Sequence, residues 1–270
     1  MMQEFWSLGQ PGGPAGAVLL VLGLASLAAG FVDAVVGGGG LVQLPAMFSV
    51  IPQGAVAPIL GTNKIASLAG ALISTSRYLR VVRLPWNVVL PALAGAALFG
   101  WVGAAAVSLL SREVAQPLVL ALLVLVAVMT LRRKEMGSVH APRFAVRYQR
   151  WFGFLAGAAL GFYDGFFGPG TGAFLVFIFV RFFGYDFLHA SACAKVVNVM
   201  TNLAALAFFL PAGEFFAAAA LVMALCNVVG AWVGTHVAVR KGSQFVRKFF
   251  LMLLALLIIK MAADTLEMWI

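Results

Sequence analysis

"GFVDAVVGGGGL" at Gly30–Leu41 and "GFYDGFFGPGTG" at Gly161–Gly172 are two versions of one phrase. Each closes a long apolar run, and each sets a carboxylate, Asp33 or Asp164, just ahead of a glycine-rich turn. A charge within a membrane helix is costly and glycine weakens the helix, so the phrase calls for a compensating role. The offset between Asp33 and Asp164 recurs downstream. Lys64 in "GTNKIASLAGAL" matches Lys195 in "CAKVVNVMTNLAAL", and "WVG" at Trp101–Gly103 matches "WVG" at Trp232–Gly234, all with that same offset. A fixed offset held by separate motifs marks an internal duplication.

Outside these motifs the chain is strongly apolar. Of 270 residues 63% are hydrophobic and 10% charged, beyond the balance of soluble domains. Apolar stretches lie at about 16–36, 41–51, 55–79, 86–110, 114–131, 151–167, 172–183, 188–211, 215–239 and 245–263. Several approach the ~20 residues that span a bilayer, whereas 41–51 and 172–183 are too short. The expected fold is therefore all-α: a polytopic membrane helix bundle of two repeats, 1–131 and 150–270, joined by a basic linker at 132–149. No basic n-region precedes the first apolar run, so 16–36 is expected to remain as a helix.

The net charge of +9 could suggest nucleic acid, but the bases cluster in short loops between apolar segments. That is the pattern of membrane topology. Arg77, Arg80 and Arg83 form one cluster and the loop between the copies holds Arg132, Arg133, Lys134, Arg143, Arg147 and Arg150. In the second copy the match to 77–83 holds Glu214 and no base, while the match to Arg112 is the basic run Arg240, Lys241, Arg247, Lys248. Two copies in opposite orientation keep the positive clusters on one side. The loops 77–83, 132–150 and 240–248 are then cytoplasmic, with Arg112, Glu113 and both termini outside. Each copy crosses an odd number of times if each short apolar segment returns from a broken or re-entrant helix whose turn is glycine. Non-helical backbone at that depth must line a cavity or be buried in protein.

Each copy then offers the same charged parts at the same spacing: Asp33 with Lys64, and Asp164 with Lys195. Intramembrane charges face partners or watery cavities. A lysine ammonium beside the N–H groups that follow a glycine turn makes a positive pocket, so a small anion is the expected ligand. Gly38, Gly39, Gly40, Gly170 and Thr171 would supply the backbone, and Asn63, Asn198 and Asn202 side-chain donors. Thr62, Ser67 and Thr201 add hydroxyls. The aspartates would hold the lysines or take up protons. The alternative is that Asp33–Lys64 and Asp164–Lys195 are ion pairs that lock broken helices in a scaffold with no ligand.

Other chemistry lacks a candidate. Cys193 and Cys226 have no ligand spacing and are expected to be inert, and His140, His189 and His236 are scattered. "GPGTG" lacks the Lys-Ser/Thr of a phosphate loop, and no paired carboxylates, nucleophile elbow or H-E-x-x-H occur. Neither a metal nor a cofactor is implied. Trp101 and Trp232 are expected to pack, and Arg181, Tyr185, Asp186 and His189 to anchor an interface.

Across nearly its whole length the chain resembles the sulfite exporter TauE/SafE family of membrane permeases, also described as the 4-toluene sulfonate uptake type. "GFVDAVVGGGGL", "GTNK", "GFYDGFFGPGTGAF", "ACAKVVNVMTN" and "GAWVGTHVAVRKG" carry the likeness. The resemblance implies a bacterial inner-membrane transporter of small sulfur-containing anions such as sulfite or organosulfonates, outward in some members and inward in others. It implies site residues at Asp33, Gly37–Gly40, Asn63 and Lys64, then at Asp164, Gly168, Gly170, Lys195 and Asn198. Ala194 stands where the first copy has Asn63, so the half-sites are unequal. A coupling ion, H+ or Na+, and a homodimer are left open.

Overall fold

The computed structural model describes residues 14–51, 56–109 and 146–267. The apolar segment 114–131, the Arg112–Glu113 loop, both termini and most of the 132–149 linker lie outside them.

The regular elements among the described residues are all helices: α1 Pro14–Val36, α2 Gly40–Val50, α3 Val56–Tyr78 and α4 Trp86–Ala105, then α5 Val146–Phe166, α6 Thr171–Arg181, α7 Phe187–Phe209 and α8 Ala217–Glu267. A short 3-10 turn, Ala106–Leu109, follows α4. Gly40 and Thr171 open α2 and α6, Val56 and Phe187 open α3 and α7, and Trp86 and Ala217 open α4 and α8. Each of these pairs keeps the offset that relates Asp33 to Asp164. The duplication seen in motifs thus extends to helix boundaries.

Local chemistry accounts for the helix ends. Gly37 and Gly168 take left-handed φ of 82° and 94°. The Gly37 N–H donates 2.8 Å to the Asp33 carbonyl, and the Phe167 N–H donates 2.8 Å to that of Tyr163, so each first helix ends in a left-handed glycine cap. Asp186 caps α7, accepting from the N–H groups of Leu188 and His189. α8 is broken at Gly242, whose φ of 72° and ψ of −173° are not helical.

Five helices among the described residues are long and apolar enough to cross a membrane: Gly16–Val36, Val56–Tyr78, Trp86–Ala105, Phe187–Phe209 and Ala217–Val246. The chain is a multi-pass membrane helix bundle. α2 and α6, with 11 residues each, reach only about 16 Å at ~1.5 Å per residue. Leu20, Leu24, Leu90, Leu98, Leu221 and Leu225 are exposed, as a lipid-facing surface requires. Trp101 and Trp232 join that surface at 49% and 55% exposure and pack there as expected, Trp101 edge-on to Phe208 and Trp232 stacked on His236. Arg77 lies over the Trp232 ring, 4.8 Å from its centroid.

Small residues bring backbones together, as membrane packing favours. A Cβ on Gly157 would sit 2.0 Å from the Ala92 carbonyl oxygen, and one on Gly103 would sit 2.1 Å from that of Phe162. Along this seam Gly153 meets Val88, Gly95 meets Phe154 and Gly165 meets Gly100, so α4 and α5 run side by side in one direction. α1 and α8 do likewise, with Gly23 against Val222 and Gly234 against Phe31. α3 also follows α8: Gly61 touches Glu214, Gly70 touches Asn227, and Arg77 donates to the Trp232 carbonyl.

Two buried apolar clusters result. One gathers Val35, Val36, Tyr78, Val176, Phe179 and Phe183, and the other Leu22, Leu44, Met47, Ile59, Phe209 and Met223.

Candidate functional site

The ends of α1 and α5 meet, because the glycine turns that stop both helices are pressed together. A Cβ on Gly37 would lie 2.2 Å from the Gly172 carbonyl carbon, and the Ala173 N–H donates 2.8 Å to the Gly37 carbonyl across the two copies. Only glycine satisfies both the positive φ and the contact at Gly37. Gly40 in turn lies beside Pro169.

This contact delivers each aspartate to the other copy's lysine. Nζ of Lys64 lies 2.8 Å from Oδ1 of Asp164, and Nζ of Lys195 lies 2.6 Å from Oδ2 of Asp33. The pairing Asp33–Lys64 and Asp164–Lys195 expected from spacing is therefore replaced by the crossed one. Chain order conceals this, because the partner is supplied by the second copy across the turn contact. Both lysine side chains are almost fully buried, as is Asp164, while Asp33 keeps 15% exposure. A Cβ on Gly168 would stand 2.6 Å from Nζ of Lys64, so the glycine also makes room for the ammonium.

The expected pocket is thus not positive: two ammonium groups face two carboxylates. The N–H groups after the turns are partly committed too. Those of Leu41 and Val42 bind the Gly38 and Gly39 carbonyls, and that of Thr171 binds the Gly168 carbonyl.

A cavity of about 10 Å³, room for about one water molecule, lies against the Lys64–Asp164 pair and Asp33. Asp33, Lys64, Asp164, Asn63, Ser67, Asn198 and Asn202 line it, with Gly37, Gly40, Gly168, Gly170, Thr171 and Gly172 from the turns. Gly38, Gly39 and Lys195, which were expected at the ligand, are not part of that lining. Gly38 and Gly39 instead form the turn ahead of α2, with Gly39 at its N-cap, and the Gly39 N–H donates to Oδ1 of Asp33 at 3.4 Å. Lys195 reaches the cavity only through its ion pair with Asp33. Thr62 is also taken: its hydroxyl donates to the Pro58 carbonyl and accepts from the Phe216 N–H, tying the 210–216 turn to α3. Thr201 donates to the Asn198 carbonyl within α7.

Sequence reasoning missed Gln43 and Ser26, both fully buried. Oε1 of Gln43 accepts from Nδ2 of Asn63 at 2.8 Å and from the Ser67 hydroxyl at 3.3 Å. Nε2 of Gln43 donates 2.6 Å to Ser26, whose hydroxyl donates to the Met223 carbonyl. The chain of bonds orients Asn63 and links the site to α8. Its signal was available: a glutamine in the apolar arm "GLVQLPAMFSV" has no lipid-compatible position. The positions matching Ser26, Gln43 and Asn63 are Gly157, Phe174 and Ala194, so the second half-site lacks this chain and presents Asn198 and Asn202 instead. Among the described residues no group of three His, Cys, Asp or Glu is placed to hold a metal.

A membrane bundle with duplicated carboxylate-glycine and lysine motifs meeting at its centre has counterparts. The profile of the family described as "Sulfite exporter TauE/SafE" matches residues 22–261. The chain belongs to this family. Its members are membrane transporters, not enzymes. A protein named "Probable membrane transporter protein" from Haemophilus influenzae is 31% identical over 255 residues, 92% of this chain and 95% of its own length. "Probable membrane transporter protein YfcA" of Escherichia coli is 29% identical over 253 residues, 92% of this chain and 91% of its own. "Probable membrane transporter protein ORF9" of a Sinorhizobium species is 31% identical over 249 residues, 92% and 93% of the two chains. No solved structure gives a significant match.

Proposed function

We propose that this TauE/SafE-family chain is a secondary carrier or permease moving a small sulfur-containing oxoanion, sulfite or an organosulfonate, across the inner membrane. The observation that carries it is the pair of buried crossed ion pairs around a cavity built from both glycine turns. Intramembrane charges on a cavity between two repeats are the usual position of a transported substrate.

Repeat 1 is 1–131 and repeat 2 is 150–270, inverted with respect to each other, with α1–α2 and α5–α6 as re-entrant pairs and the 132–149 linker cytoplasmic. Helix directions support the inversion. α1 and α3 run along α8, whereas α4, joined to α3 by only residues 79–85, must turn back, and α5 follows α4. α1 and its counterpart α5 then point opposite ways. The parallel course of α3 and α8 also brings the 77–83 and 240–248 bases to one end.

Lys64 binds the anion after leaving Asp164, and Lys195, still paired to Asp33, adds its ammonium, with Asn63, Asn198, Asn202 and the N–H groups near Gly40, Gly170 and Thr171 as donors. A cavity of about 10 Å³ is far smaller than a sulfur oxoanion, so loading requires the turns to part. Because the Lys64–Asp164 pair joins the two repeats, parting them frees Lys64 at the moment an anion needs it.

The neutral, paired state of the four charges also suits a scaffold, and flux decides between the two. Reconstituted liposomes should take up labelled sulfite and methanesulfonate above the protein-free leak, and Lys64→Met should abolish most of that uptake. No uptake of either anion above leak would leave the scaffold.

A further inference from the structure

The two aspartates are not equivalent. Both carboxylate oxygens of Asp33 are engaged, Oδ2 by Lys195 at 2.6 Å and Oδ1 by the Gly39 N–H at 3.4 Å. Asp164 uses Oδ1 for Lys64, but its Oδ2 is buried and has no hydrogen-bond partner among the described residues. An unpartnered buried carboxylate oxygen is expensive, and its lone pair is a place for a proton.

Charge balance says when that place is used. Two lysines and two aspartates cancel, so a monoanion entering alone would leave one net negative charge in a buried cavity. Burying an uncompensated charge is strongly unfavourable. The anion also draws the Lys64 ammonium from Asp164, leaving that carboxylate without a partner at either oxygen. The other groups facing it do not replace the lysine. Tyr163, next to it on α5, donates its hydroxyl to the Pro169 carbonyl, Asp33 repels it, and Lys195 is held by Asp33. Among the described residues, α2, α4 and α6 bring no charged group to the cavity.

We propose that Asp164 is the proton-coupling carboxyl of the transporter, taking one proton onto Oδ2 as Lys64 turns to the anion and releasing it when the Lys64–Asp164 pair re-forms. The inference rests on the anion-transport reading. The proton comes from water on the side where the anion enters and returns to water on the side where it leaves, so carboxylate plus proton becomes carboxylic acid and back. Anion and proton travel together and no net charge crosses. Asp33, with both oxygens held, stays paired to Lys195 and positions the second repeat's lysine.

The test uses the full chain in liposomes loaded with a pH-sensitive dye, with the potential set by potassium and valinomycin. Labelled methanesulfonate is the probe, because its anion stays ionised near neutral pH and carries no proton of its own. Wild-type protein should acidify the interior by about one proton per anion, as neutrality of the site demands, and uptake should not respond to the potential. Asp164→Asn should still pass the anion down its gradient, with the proton count falling at least about tenfold and a new dependence on potential. Asp33→Asn should slow uptake while keeping the count near one. Asp164→Glu, which retains a carboxyl, should keep coupling if Asp164→Asn does not fold. Methanesulfonate entry without acidification in wild type overturns the proton step and leaves the transport reading intact. Loss of the proton count in Asp33→Asn, with its retention in Asp164→Asn, overturns the assignment to Asp164. If no methanesulfonate enters, the sulfonate-transport reading and this inference fall together.

Discussion

At the scale of single residues the crossed pairs make a sharp prediction about which double substitutions rescue which single ones. Lys64→Met retains much of the apolar stem but leaves Asp164 buried without its ammonium, a loss of about 3–5 kcal/mol for a broken buried pair. Adding Asp164→Asn removes the stranded charge and should restore most of the unfolding temperature in detergent. Adding Asp33→Asn instead should restore nothing, since it strands Lys195 as well. Rescue by Asp33 and not by Asp164 would return the pairing to the one that spacing suggests. The residues themselves were legible as rare charges in apolar runs. Their partners were not, because an Asp-to-Lys spacing that is equal in both copies fits either pairing. Gln43 was overlooked for a different reason: it has no counterpart in the second copy, so a search led by repetition passes over it.

At the scale of elements, the α6–α7 connection is tied to the break in α8 by one carboxylate. Asp186 accepts from the Leu188 and His189 N–H groups and from the Ser243 hydroxyl at 2.7 Å, while Nδ1 of His189 lies 2.5 Å from its other oxygen. Ser243 follows the non-helical Gly242, so the break in α8 is what aims the hydroxyl. Asp186 and His189, expected at an interface, together form a capped and clamped helix start. Burial alone would raise the Asp186 carboxyl, but the His189 N–H, the Ser243 hydroxyl and the His189 ring together hold it below the usual carboxylate value. A carboxyl depressed in the folded state contributes stability that is fully present above its unfolded value, near 4, and is lost as pH falls through its folded value. Asp186→Asn should therefore lower the unfolding temperature at neutral pH, and the gap from wild type should close as pH drops below about 4. A gap that persists unchanged in acid would show that the charge of Asp186 is not what holds the clamp. The short arms α2 and α6 were legible as elements because each apolar run is too brief to span. That their turns touch was not.

At the scale of the whole molecule the exposed commitment is orientation. With α3 and α8 parallel, a cysteine at Arg80 and one at Lys241, both exposed, should react with an impermeant thiol reagent from the same, cytoplasmic side. A cysteine at Ala212, in the turn that Thr62 fastens to the start of α3, should react only from the other side. Substituting the native Cys193 and Cys226 first keeps the background low. Labelling of positions 80 and 241 from opposite faces would break the inverted arrangement and leave the exchange of basic clusters between copies without a cause. Either result is independent of substrate, so orientation can be settled before any anion is known.

The amino-acid sequence by itself determined the membrane-helix class, the places where helices stop and the residue types available at the centre. These follow from local terms: apolar length, left-handed glycine at Gly37 and Gly168, and the cost of stranding Asp33, Lys64, Asp164 or Lys195 in lipid. Which charge meets which, and that Asp33 is satisfied at both oxygens whereas Asp164 is not, was decided only in the tertiary structure. Pairing depends on the approach of two turns that lie in different copies, far apart along the chain. That approach is set by contacts such as Gly37 on Gly172, where backbone meets backbone and no side-chain pattern records the partner. The same close contact turned an expected positive pocket into a neutral one, because it brings a carboxylate to each lysine.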